Sequence, residues 1–265
     1  MAVAVAEPER TMSKAAGVSQ NTPCGIGPDP LDQIRSLYTE LALRPEQDFG
    51  WNKGRENARQ LGYAEAWLTR LPAVVWESAA AVGNPFRCGP IASGETVVDL
   101  GCGAGADACV AAMLTGPSGR VHGFDATPAM VAKATANAMT AGLGNVVFRE
   151  ADMAALGLAD GVADVVISNG AINLARDKAA VFAEVHRVLR RSGRFQFADM
   201  VREHGGNACC APEGSWADCV SGTLGIEEIE HLLRAAGFDA IEQVGFTGYR
   251  TSATTIGALF RACKA

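Results

Sequence analysis

The chain has no CxxC pair and only four histidines, although it carries eight cysteines in 265 residues. A structural zinc site built from paired cysteines is therefore not expected, and no metal is assigned. It also lacks a strong basic patch. The net charge is −6 and the pI about 5.3, so nucleic acid is not an expected partner. No apolar run approaches the roughly 20 residues that cross a bilayer. The opening residues, MAVAVAEPERTMSK, put acids where a signal peptide needs a basic start and a long apolar run. The expected setting is cytoplasmic, with reduced thiols and no membrane. Aromatics are few, at 6%, while apolar residues make up 48% and charged residues 20%. That balance suits a globular chain able to bury a substantial core.

What is present is organised in three parts. Residues 1–30 are rich in Ala, Pro, Gly, Ser and Asn without a persistent period, and read as a flexible arm. Residues 31–90 read as a helical cover: Ile34, Leu37, Tyr38 and Leu41 recur at spacings of three and four. Residues 91–265 alternate strand and helix. Strands are expected at 96–100, 120–124, 145–149, 163–168 and 194–198, with two further strand-like runs at 241–246 and 255–261. Helices are expected at 106–114, after Thr127-Pro128, at 177–189 and at 223–236, with Gly237 as a stop. The implied fold class is α/β: a seven-stranded, mostly parallel, Rossmann-like sheet with helices on both faces.

Ligands of such sheets bind beyond the carboxyl ends of the strands. The turn Gly101-Cys102-Gly103-Ala104-Gly105 falls at the first of these ends. Its glycines permit φ > 0 and close approach of a ligand to the backbone. The third glycine arrives one place too early for the dinucleotide pattern G-x-G-x-x-G, and Ala106 follows. Asp99 precedes the turn, where an acid suits the ammonium of an amino-acid tail. Asp125, followed by Ala126, ends the next strand and suits the two hydroxyls of a ribose. Asp152 and Met153 follow the third strand and suit adenine. A lone tight turn would need none of these acids. Together they select S-adenosylmethionine (SAM), with S-adenosylhomocysteine (SAH) as product, over a nicotinamide cofactor.

The segments VVDLGCGAGAD, GRVHGFDATPAMVAKATANA, NVVFREADM, DVVISNGAINL and FAEVHRVLRRSGRFQFADM resemble, in order and spacing, the class I SAM-dependent methyltransferases. Within them the chain is most similar to the arsenite branch, through ISN-x-x-INL at 167–174 and Cys-Val-Ser-Gly at 219–222, over residues 77–245. That resemblance implies an enzyme with a small-molecule acceptor, acting as a monomer or homodimer. Members of the branch hold trivalent arsenic on cysteine thiolates at three positions. Here only the third is a cysteine, Cys219; the other two are Val82 and Gly170. A soft centre that wants three sulfurs finds one.

The acceptor-side candidates are Cys219, Asn169, Asn173 and Trp216. Each has a plainer reading. A free cysteine often packs as a small hydrophobe, the asparagines can cap backbone groups, and Trp216 can anchor a loop rather than shield a sulfonium. On the donor side the candidates are Asp99, Gly101, Gly103, Gly105, Asp125, Ala126, Asp152, Met153, Asn169 and Trp76. The expected reaction is S-methylation of a small thiol such as methanethiol or sulfide. Arsenite methylation, and C- or O-methylation of a small organic acceptor, are the alternatives.

Overall fold

A computed structural model describes residues 30–203 and 222–265. The arm expected at 1–30 lies outside the described residues but for its last position, as do Trp216, Cys219 and the Cys209-Cys210 pair.

Seven strands form one sheet: β1 Thr96–Leu100, β2 Arg120–Asp125, β3 Val146–Glu150, β4 Ala163–Asn169, β5 Leu189–Arg202, β6 Phe238–Phe246 and β7 Thr255–Lys264, in the order β3-β2-β1-β4-β5-β7-β6. The first five pair in parallel, and β7 joins β5 and β6 antiparallel. The central strands are continuous apolar runs because both faces are covered. Val97 faces one core with Ala108, Cys109 and Ala112 of helix α5 (Ala106–Thr115). Val98 and Leu100 face the other, with Val181, Phe182 and Val185 of α7 (Lys178–Val188) and Leu233 of α8 (Ile226–Ala235). A stack of Phe195, Phe197 and Phe260 carries the second core across the antiparallel junction, where Phe197 faces Phe260 at 5.0 Å between ring centroids.

Helix α6 (Pro128–Thr140) begins at the expected proline, but Thr127 does not cap it with its side chain. The Thr127 N–H is instead taken by Asp125 Oδ1 at 2.9 Å, which draws the helix start to the strand end. Strand β5 starts earlier than expected. Leu189 pairs with Ala163, then the register shifts and Arg194 pairs with Val165. The turn expected at Arg191-Ser192-Gly193 is thus a bulge inside a longer strand, with Ser192 at φ 60°. Helix α8 begins at Ile226 rather than Thr223, because Leu224 is drawn into a bridge with Val201.

The N-terminal cover has one long helix, α1 (Pro30–Leu43), and three short ones, α2 (Gly54–Gln60), α3 (Glu65–Arg70) and α4 (Ala73–Trp76). Helix α1 is fastened across the body of the sheet. Lys133 Nζ donates to the Ala42 carbonyl (3.0 Å) and Ser78 Oγ to that of Leu41 (2.9 Å). Leu41 and Ala42 pack on Ala104 and Met130, and Ile34 on Leu174.

Candidate active site

The strand order reverses between β1 and β4, so their carboxyl ends diverge and leave a crevice. A cavity of about 270 Å³ opens there. Its floor is Asp99, Gly101, Gly103 and Asp107; one side is Asp125, Ala126, Asp152 and Met153; its roof is Leu31, Ile34, Arg35 and Tyr38 of α1. The opposite side is Asn169, Gly170 and Ala171, with Tyr63 and Trp76 from the cover.

The turn is shaped by its glycines. Gly101 has φ 67° and Gly103 φ 51°, values that residues with a Cβ rarely take. A Cβ on Gly101 would run into the Ala171 methyl, whereas one on Gly103 would meet nothing within 4 Å. Gly103 is therefore the position where a ligand can approach the backbone. Its N–H donates to Asp125 Oδ2 at 2.9 Å, so the turn and the end of β2 form one surface. Gly105 is not part of the cavity wall, though Ala104 and Ala106 on either side of it are. It caps α5 at φ 83°, and a Cβ there would press on Phe148 and Ala134. Its glycine serves packing of the turn against β3 and α6.

The ring of acids fits a nucleoside with a cationic tail. Asp125 accepts the Gly103 and Thr127 N–H groups on its two oxygens, and a carboxylate has further acceptor capacity for a ribose diol. Asp152 accepts the Ala154 N–H at 2.9 Å, which fixes it beside Met153 at the third strand's end. Asp99, at 2% exposure, has an Oδ2 without a partner.

Asn169 is placed on the wall, but its side chain is already committed. Oδ1 accepts the backbone N–H groups of Val82 (3.0 Å) and Gly83 (3.3 Å). Nδ2 donates to the Gly83 carbonyl, to Tyr63 Oη and to Asp107 Oδ2 at 2.9–3.0 Å. Its amide fastens the loop before β1 to the end of β4, so Asn169 is a positioning residue. The Tyr63 hydroxyl donates to Asp107 Oδ1 at 2.6 Å. Burial, with the Asp107 charge beside it, pushes the phenol well above its ordinary range. Tyr63 and Asp107 were missed in the sequence. The signal available was only an acid in the first turn of a helix, a common feature.

Asn173 is not on the cavity wall. Its amide nitrogen, oriented to satisfy its neighbours, donates to Asp199 Oδ1 at 2.8 Å, and its backbone N–H donates to Asp199 Oδ2 at 3.0 Å. Burial raises Asp199 to about 7, against the pull of the Met200, Asn173 and Ile172 N–H groups and of Lys178. Trp76 is on the wall, packed edge-on against Tyr63 at 5.7 Å.

The positions matched to the missing cysteines come together. A Cβ on Gly170, at φ 67°, would lie 3.1 Å from Val82 Cγ1. Thr247 Oγ1 donates to the Val82 carbonyl at 2.7 Å and closes this corner from behind. The described cysteines are elsewhere. Cys88 and Cys109 are buried and pushed up to about 12, and burial also raises Cys102, under the turn.

Residues 91–237 match the methyltransferase-domain family. The chain is 41% identical to an arsenite methyltransferase of Halobacterium salinarum over 60% of this chain and 41% of that one. It is 37% identical to one of Aquipseudomonas alcaligenes, over 65% of this chain and 53% of the relative. It thus spans about half the length, or less, of these curated relatives. The crystal structure of an arsenic(III) SAM methyltransferase from Chlamydomonas reinhardtii superposes with a TM-score of 0.59 at 26% identity, over 81% of this chain and 74% of that one.

Proposed function

The chain belongs to the class I SAM-dependent methyltransferases, and from that premise we propose that it moves the methyl group of SAM to a small soft nucleophile, a low-molecular-weight thiol before others. The carrying observation is the corner at Val82 and Gly170. A Cβ on Gly170 would lie 3.1 Å from Val82 Cγ1, and neither position bears a sulfur. The corner is apolar, and it presents no thiolate pair to a metalloid.

The chemistry asks little of the protein. The sulfonium methyl is already activated. In-line attack by a thiolate forms the new S–C bond, and the electron pair of the old one returns to the donor's sulfur, leaving SAH. The residues position and exclude water. A thiol ionises near neutral pH and needs no strong base. The polar groups nearest the corner are engaged, since Asp107 takes donors from Tyr63 and Asn169. An alcohol or carbon acceptor would need a base here.

The test is SAH production from SAM with methanethiol, sulfide and 2-mercaptoethanol, beside arsenite with glutathione. Turnover with a thiol is expected. Turnover with arsenite alone would replace this reading by a second one, which the relatives named arsenite methyltransferases favour. In that reading Cys219 supplies one sulfur and solvent thiols the others.

A further inference from the structure

Of the carboxyl groups that line the cavity, three act on one another: Asp99 at the end of β1, Asp107 in the first turn of α5 and Asp125 at the end of β2. Two are well supported. Asp107 accepts from Tyr63 and Asn169, and Asp125 from the Gly103 and Thr127 N–H groups. Asp99 is not. The Ala108 N–H is its one donor, and its Oδ2 is buried with no partner. The titratable groups around it are Asp107 and Cys109 on α5, Asp125 on β2, Cys102 in the turn and Tyr63 in the cover. None is a cation. The arginines of the cavity wall, Arg35 and Arg176, are exposed at its mouth.

We propose that Asp99 keeps a proton on its unpartnered oxygen in the ligand-free protein and releases it to solvent when the methyl donor docks. A lone buried carboxylate between two others is a poor place for a third negative charge. Burial and those neighbours hold Asp99 well above the usual carboxylate range. SAM brings a sulfonium and an ammonium against one carboxylate, a net positive charge. Asp99 is already dry, so the ligand adds attraction without removing further water, and ionisation becomes favourable. SAH lacks the sulfonium and exerts a weaker pull. The donor's charge is thereby matched on binding and less so after transfer, which favours product over donor in leaving. The proposal rests on the SAM reading above.

Calorimetric titration of SAM into the wild-type protein at pH 7, in phosphate and in Tris, separates the two. The binding heat should differ between buffers by the ionisation heat of close to one proton, and by less for SAH. The SAM Kd should tighten with rising pH between pH 6 and 8, by up to about tenfold per unit, with a flatter profile for SAH. Asp99→Asn should bind SAM with a heat that no longer depends on the buffer. Buffer-independent heat and a flat SAM profile in the wild type would overturn the proposal while leaving SAM binding intact. No SAM binding at all would overturn the SAM reading itself, and the proposal with it.

Discussion

The two sides of the cavity are built differently. The donor side is made at successive strand ends, by Asp99, Gly101, Gly103 and Asp125, each within a few residues of a buried strand. Its geometry follows from the parallel sheet. The corner proposed for the acceptor is assembled from pieces far apart in the chain: Gly170 on the cavity wall after β4, backed by Val82 and Gly83 before β1 and Thr247 after β6. It holds together through side-chain hydrogen bonds, with Asn169 at their centre. One side is therefore sensitive to backbone shape, the other to single polar contacts.

The largest effect should come from breaking backbone shape. Gly101→Val puts a branched side chain at φ 67° and against Ala171. SAM binding by calorimetry should weaken by about 100-fold or be lost, from strain and overpacking of a few kcal/mol. Unchanged affinity would show that the turn is not the donor site.

Next is the polar knot. Asn169→Ala removes the acceptor of two N–H groups and the donor to Asp107, and leaves buried partners unpaired. We expect kcat/KM for the acceptor to fall on the order of 10–100-fold, at about 1–3 kcal/mol per orphaned group, with SAM affinity changed less. A matched loss on both sides would erase the contrast. Tyr63→Phe removes from the same knot the donor to Asp107 and the acceptor of the Asn169 amide. About 1 kcal/mol of stability should be lost, read by urea denaturation.

A pH experiment sharpens the acceptor side. Asp199, raised to about 7, holds the backbone that follows Gly170 through Asn173. A carboxyl raised in the folded state binds a proton there that the unfolded chain has lost. Its contribution is full below the ordinary carboxylate range and is lost as pH rises through about 7. The wild-type Tm should therefore fall relative to Asp199→Asn between pH 5 and 8. Parallel Tm profiles would rule this out. Smallest of all is Arg250→Ala. Its pair with Glu203 is exposed on both sides, and no change in Tm or kcat/KM is expected.

Most of the sheet was legible because buried parallel strands leave apolar runs and their ends leave glycines and acids. Asp99, Gly101, Gly103, Asp125, Asp152 and Met153, far apart in the chain, line one cavity. The packing role of Gly105 was not legible, because a glycine kept for packing looks, in sequence, like one kept for a ligand. The direction of the Asn173 side chain was not legible either, because it depends on Asp199 on β5. The pairing of Tyr63 with Asp107 gave no signal, since it joins the cover to α5 across 44 residues of chain.

The sequence alone determined the fold class, the position of the glycine turn and the kind of donor, because these rest on local periodicity and on residues next to one another. Only the tertiary structure decided that Val82 and Gly170 share a corner, that Asn169 is spent on fastening it, and that Asp99 is buried with an oxygen unpartnered. Those facts depend on contacts between distant segments and on which atoms lose water, and neither is written in the order of residues.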